Sequence, residues 1–69
     1  MKTITLREEY IKLDQALKAA GLVDSGVEAK IHITSGEVQV NGQPEDRRGR
    51  KLYDGDEVTF AGETIKIQK

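Results

Sequence analysis

The chain opens on a two-residue alternation. In Thr3-Ile4-Thr5-Leu6 polar and apolar positions take turns and most are β-branched, which suits a short edge strand. Beyond it the period lengthens. Leu6, Tyr10, Leu13, Leu17 and Ala20 recur at spacings of three or four, which predicts a helix from about Tyr10 with these residues inward and Gly21 as its left-handed stop. Thr5 and Glu8 stand at capping-box spacing and offer a start as early as there. After Leu22-Val23-Asp24, Ser25-Gly26-Val27-Glu28 repeats that spacing, with the Ser oxygen accepting from the third amide and Glu28 reaching back. A second helix follows to about Ser35 and ends at Gly36, its inner stripe being Ala29, His32 or Ile33, and Gly36.

The rest of the chain reads as strands. Glu37-Val38-Gln39-Val40 puts both valines on one face, and Asn41-Gly42 is a strong hairpin signal because both residues tolerate positive φ. Pro44 fits an edge strand or the exit from that turn. Tyr53-Asp54-Gly55-Asp56 predicts a tight turn into Val58-Thr59-Phe60, and Ala61-Gly62 turns the chain into Thr64-Ile65-Lys66-Ile67. No repeat or linker interrupts the pattern. The expected fold is α+β: a helix-turn-helix pair packed on a small, mostly antiparallel sheet, forming one domain over residues 1–69.

Composition narrows the chemistry. There is no Cys and a single His, which excludes a disulfide framework, a thiol nucleophile and a thiolate metal site. No apolar run is long enough to cross a bilayer and Met1–Leu6 has no apolar signal core, so the expected setting is cytoplasmic, with no membrane partner. His32 and Ser35 lie three apart on one helix, but the sequence shows no oriented carboxylate beside them, and no catalytic residue is assigned. Asp54, Asp56 and Glu57 read as turn caps. Asp54-Gly55-Asp56 is short of the ligands a calcium loop needs. The glycines fall singly and build no phosphate loop, so neither a metal nor a small-molecule cofactor is expected.

Net charge is -1, yet it is unevenly spread. Residues 30–52 carry a net +2, while the segments on either side are negative. Arg47, Arg48, Arg50 and Lys51 fall within five positions with no acid among them. Such a run is ordinarily a solvated loop, and it gains meaning only if the fold sets other cations beside it. Of the three aromatics, Tyr10 and Phe60 follow core-facing patterns, leaving Tyr53 as the single ring free to stack on a base. Modules that read single strands carry several such platforms, so an RNA partner would be folded RNA held through phosphates and 2′-hydroxyls.

One stretch of residues carries a family resemblance. Leu13-Asp14-Gln15-Ala16-Leu17, Gly21-Leu22, Ser25, Glu28-Ala29-Lys30, Ile33, Gly36-Glu37-Val38-Gln39-Val40-Asn41-Gly42 and Tyr53-Asp54-Gly55-Asp56-Glu57-Val58 occur in the order and spacing of a known module. The chain resembles the S-four domain, the αL RNA-binding motif named for ribosomal small-subunit protein four, over residues 11–58. Among its members it is most similar to the small stand-alone bacterial proteins. The resemblance implies an RNA-facing surface made by the second helix, its capped N-terminus and the following hairpin. By position, Lys12, Ser25, Lys30 and Asn41 match family RNA contacts, and Arg47, Arg48, Arg50 and Lys51 lie on the return from the hairpin. Gly26, Thr34 and Gln39 are neutral where the family is often basic, which shifts weight to the arginine run.

The resemblance implies a non-enzymatic protein that binds structured RNA, ribosomal RNA or ribosomal particles, in ribosome assembly or translation. A protein-interaction adaptor using an open sheet edge is the alternative. A ubiquitin-like sulfur carrier also shares the Asp54–Val58 pattern, but the chain ends in Ile65-Lys66-Ile67-Gln68-Lys69 rather than in two glycines.

Overall fold

Short alternating segments can bury a face only by pairing with one another, and here they do so around two helices. The computed structural model describes all residues from Met1 to Lys69. In chain order the elements are β1 (Lys2–Thr5), β2 (Ile11–Lys12), α1 (Leu13–Ala19), α2 (Gly26–Thr34), β3 (Gln39–Val40), β4 (Gln43–Pro44), β5 (Lys51–Leu52), β6 (Glu57–Phe60) and β7 (Glu63–Gln68). Five strands form a sheet in the order β1-β7-β6-β3-β4, and β2 pairs with β5 as a separate ribbon. Contacts within the sheet are antiparallel except β1 on β7, which is parallel. Pro44 sits in an edge strand, where its missing N–H costs no ladder bond.

The alternation read from the sequence is the alternation that packs. Val38, Val40, Val58, Phe60, Ile65 and Ile67 are buried on the face that receives the helices. Leu13, Ala16 and Leu17 of α1 and Ala29 and Ile33 of α2 close over them in one cluster. The expected α+β architecture is therefore present. So are the termini of α2: the Ser25 Oγ accepts from the Glu28 amide at 3.1 Å, and Gly36 takes φ +82°. Glu28 reaches back one residue further than a capping box requires, accepting from the amide of Asp24 at 2.8 Å.

The start of α1 differs from the expectation. The helix begins at Leu13, and Ile11–Lys12 form a strand whose partners are Leu52 and Lys51. Thr5 is still in β1 and begins no helix. The N-cap Lys12 makes no side-chain cap bond. Instead the Leu13 and Asp14 amides donate to the carbonyls of Arg50 and Arg48 at 2.9 and 3.1 Å. Backbone from a distant loop satisfies the orphan donors of the first turn, so no local signature was needed. Tyr10, assigned inward by helical spacing, is consequently 37% exposed.

Both tight hairpins place two consecutive residues at positive φ, as a type I′ turn requires. One uses Asn41 (53°) and Gly42 (82°), the other Ala61 (54°) and Gly62 (78°). Alanine pays a steric cost in that region that asparagine largely avoids. The variant Ala61→Asn is expected to stabilise the domain by about 0.5–1 kcal/mol, read as a rise in the urea midpoint at unchanged slope. A lower midpoint would contradict this account of the turn.

Candidate nucleic-acid interface

The β2·β5 ribbon is the centre of the candidate surface. Its alternation turns Leu52 fully into the core and leaves Ile11 half-buried, so the neighbours of both residues point outward. Lys12 stands directly opposite Lys51, and continuing the register by one pair sets Tyr10 opposite Tyr53. The carbonyls of Arg48 and Arg50 bond the first turn of α1, which fixes the arginine loop beside Lys12. Thus Lys12, Arg48, Arg50 and Lys51, separated in sequence, converge around the N-terminal end of α1. Lys12, Arg48 and Lys51 are exposed and form no ion pair.

Arg47 and Arg50 are held differently, by a residue that sequence reasoning missed. Glu45 is 6% exposed, the one charged side chain in the interior. Its Oε1 accepts from Arg50 Nη1 at 2.8 Å and Arg47 Nη2 at 3.2 Å, and its Oε2 accepts from Arg47 Nε at 3.0 Å. The Arg47 amide donates to Oε2 as well, at 3.1 Å. A buried carboxylate is tolerable because each lone-pair direction meets a donor. No periodicity marks Glu45; the signal available in the sequence was the acidic pair Glu45-Asp46 ahead of an arginine run.

These bonds, led by those from Arg47 and then Arg50, hold the Glu45 carboxyl down from 4.5 to about 2. Because the folded-state value is depressed, the stabilisation is complete above pH 4.5 and is lost as pH falls toward 2. The Arg47 side chain is 73% exposed, so solvent screening reduces the contribution to about 1–2 kcal/mol. The variant Glu45→Gln is expected to lose that amount at neutral pH and to show a flatter decline in stability across the acid range. Urea titrations at pH 7 and pH 3 check this; equal losses at both pH values would exclude it.

Asn41 is spent within the fold. Its Nδ2 donates to Asp56 Oδ1 at 3.0 Å, and its Oδ1 accepts from the Glu57 amide at 2.9 Å. Asp56 Oδ2 in turn accepts from the Tyr53 amide at 2.8 Å, and Asp54 Oδ1 accepts from the Lys69 amide at 2.9 Å. The hairpin tip is thereby tied to the turn that carries Tyr53. Asp54 and Asp56 cap backbone, as their sequence context suggested. Ser25 and Lys30 lie apart from this cluster on α2, joined to it through the packing of α2 on α1. Lys30 is exposed and without an ion-pair partner. The expectation that the arginine run can share the face of Lys30 rests on that packing alone.

One expectation about catalysis needs correction. A carboxylate does stand beside His32 and Ser35: Glu37 Oε2 accepts from Ser35 Oγ at 2.6 Å and lies 3.1 Å from His32 Nδ1. The Ser35 bond first, and the His32 bond second, hold the Glu37 carboxyl below its ordinary value. The order of these groups is that of a clasp. The carboxylate sits between hydroxyl and imidazole, so the imidazole has no bond through which to take the hydroxyl proton. His32 packs its ring 4.9 Å from that of Phe60, and the trio closes the C-terminal end of α2. Sequence spacing could not show this, because Glu37 lies past the helix stop.

Two short helices on a mostly antiparallel sheet, with the second helix leading into a tight hairpin, define the class of small αL-motif domains. The chain belongs to the S4 domain family, the S-four module of the sequence resemblance, whose model matches residues 4–68. The solution structure of YbcJ from Escherichia coli superposes with a TM-score of 0.76 at 36% identity, covering 100% of this chain and 89% of that one. That structure is described as revealing an αL motif involved in RNA-binding. Aligned as sequences, the two are 37% identical over 68 residues, 97% of each chain. The probable ribosome maturation protein RlbA of Bacillus subtilis is 48% identical over 59 residues, 86% of this chain and 83% of that one. The trimeric heat shock protein 15 of Vibrio cholerae has a TM-score of 0.75 at 28% identity, covering 88% of this chain and 65% of its own. No helix is long and apolar enough to cross a membrane.

Proposed function

We propose that this chain is a non-catalytic RNA-binding module that docks on structured RNA, and that the RNA is ribosomal, met during ribosome assembly or translation. The observation that carries the reading is the convergence of Lys12, Arg48 and Lys51, without ion-pair partners, around one end of α1. A phosphate chain is the ligand whose charge and spacing suit cations fixed on a ribbon and a rigid loop. Arg47 and Arg50 contribute donors left over from Glu45, already oriented by it. Lys30 extends the surface along α2. Ser25 takes part as the cap of α2: its Oγ occupies the Glu28 amide and leaves those of Gly26 and Val27 to face a phosphate, while Asp24 and Glu28 add negative charge at that end. Asn41 acts by holding the hairpin tip. Support for a ribosomal target comes from the maturation role in the name of RlbA, and support for RNA from the motif described for YbcJ.

The test is crosslinking and sequencing of RNA bound in cells, comparing the wild type with Lys12→Glu/Arg48→Glu/Lys51→Glu. Enrichment of one structured ribosomal site, lost in a variant that keeps its circular dichroism, is the expected result. Background crosslinking by the wild type would overturn the proposal, and partners that survive nuclease treatment would redirect attention to the open edge of β1.

A further inference from the structure

The ribbon carries more than charge. Its outward face presents four side chains in two cross-strand pairs, Tyr10 opposite Tyr53 and Lys12 opposite Lys51. Tyr10 is 37% and Tyr53 47% exposed. Their ring centroids are 6.0 Å apart and tilted by 50°, and Lys51 Nζ lies 4.8 Å from the centre of the Tyr10 ring. The sequence pattern had assigned Tyr10 to the core and left one ring for stacking; the ribbon supplies two, side by side.

We infer that this quartet is a subsite for a single unpaired nucleobase of the bound RNA, stacked on one ring of the tyrosine pair with the tilted second ring at its edge, and with its flanking phosphates on Lys12 and Lys51. The inference rests on the RNA-binding reading and specifies what part of the RNA that surface reads. Two facing lysines on a ladder repel each other when no anion lies between them, and no carboxylate of the protein meets either one. An anion placed there relieves the repulsion. Exposed aromatic rings beside that anion site favour a flat, apolar face on the same ligand. A nucleotide has both features in one ligand. The platform is small, since the third aromatic, Phe60, is buried, so it holds one base at a time. The subsite is rigid: Leu52 pins the ribbon from beneath, and the Tyr53 amide is bonded to Asp56.

Stacking of one base on aromatic side chains corresponds to roughly a 5- to 100-fold gain in affinity. The chain has no Trp and two Tyr, both in the subsite, so intrinsic tyrosine fluorescence reports on it alone. The probes are a fully paired RNA hairpin, the same hairpin with one bulged adenosine, and oligoadenylate. The wild type is expected to bind the bulged hairpin about 5- to 100-fold more tightly than the paired one, with tyrosine quenching on the bulged form. Tyr10→Ala/Tyr53→Ala is expected to abolish the preference while retaining salt-dependent binding to the paired hairpin. Tyr10→Phe/Tyr53→Phe is expected to keep the preference, which separates stacking from loss of fold or of a hydroxyl contact. Equal affinity for the two hairpins, or a preference that survives removal of both rings, would overturn the subsite and leave the phosphate-binding reading intact. If neither hairpin binds, quenching by oligoadenylate sustains the subsite without that reading, and its absence overturns both.

Discussion

Removing the four unpaired cations of the proposed surface, in the variant Lys12→Ala/Lys30→Ala/Arg48→Ala/Lys51→Ala, is expected to weaken binding to structured RNA on the order of 10³-fold at about 0.1 M salt. The magnitude follows from counterion release. Each phosphate contact contributes a log–log salt slope of about 0.7 to 0.9, which at about 0.1 M salt is roughly 5- to 8-fold per contact. Four independent contacts multiply to that order, and the slope flattens by about 3. Arg47→Ala is expected to cost less per charge removed, because its guanidinium already forms an ion pair with Glu45. Anisotropy titrations over a range of salt concentrations measure both quantities. A slope unchanged by the quadruple variant would remove phosphate contact as the basis of binding.

The second large effect concerns how the surface is held. Leu52 is fully buried between two outward residues, Lys51 and Tyr53. Leu52→Ala is expected to destabilise the domain by about 2–5 kcal/mol through lost transfer energy and the cavity left behind. A chain of this length has roughly 3–10 kcal/mol in all, so the variant is poised near unfolding. With a urea slope of about 1 kcal/mol per molar, the midpoint falls by about 2 M or more. Substituting exposed Lys51 by Ala is expected to change stability by no more than about 0.5 kcal/mol. A loss below about 1 kcal/mol for Leu52→Ala would mean that the ribbon is not anchored by this side chain.

These two residues also show where reading the chain succeeds and where it stops. Leu52 follows the arginine run, and nothing nearby marks it as a strand, because its partner Ile11 lies at the other end of the chain. Tyr10 obeyed helical spacing with Leu6, Leu13 and Leu17, yet the pairing of Ile11 and Lys12 delayed the helix and turned the ring outward. Glu45 was invisible for a related reason: its burial depends on two guanidiniums and on the loop that the start of α1 holds in place. Glu37 joins His32 and Ser35 only because the chain reverses after Gly36.

What the sequence by itself determined is local. Ser25 and Gly36 set the ends of α2, Asn41-Gly42 sets the β3–β4 hairpin, and the alternation through Val38, Val40, Val58, Ile65 and Ile67 sets the buried face of the sheet. Each depends on φ preferences, capping bonds or side-chain period within a few residues. Only the tertiary structure decided the parallel placement of β1 on β7, the β2·β5 ribbon, the Glu45 clamp and the pairing of Tyr10 with Tyr53. The strand and ring pairings join segments far apart in the chain, and the Glu45 clamp, local in sequence, depends on the loop that the start of α1 holds in place. Their loop-closure entropy is repaid when the whole core closes at once, so no short window of sequence contains the energy that selects them.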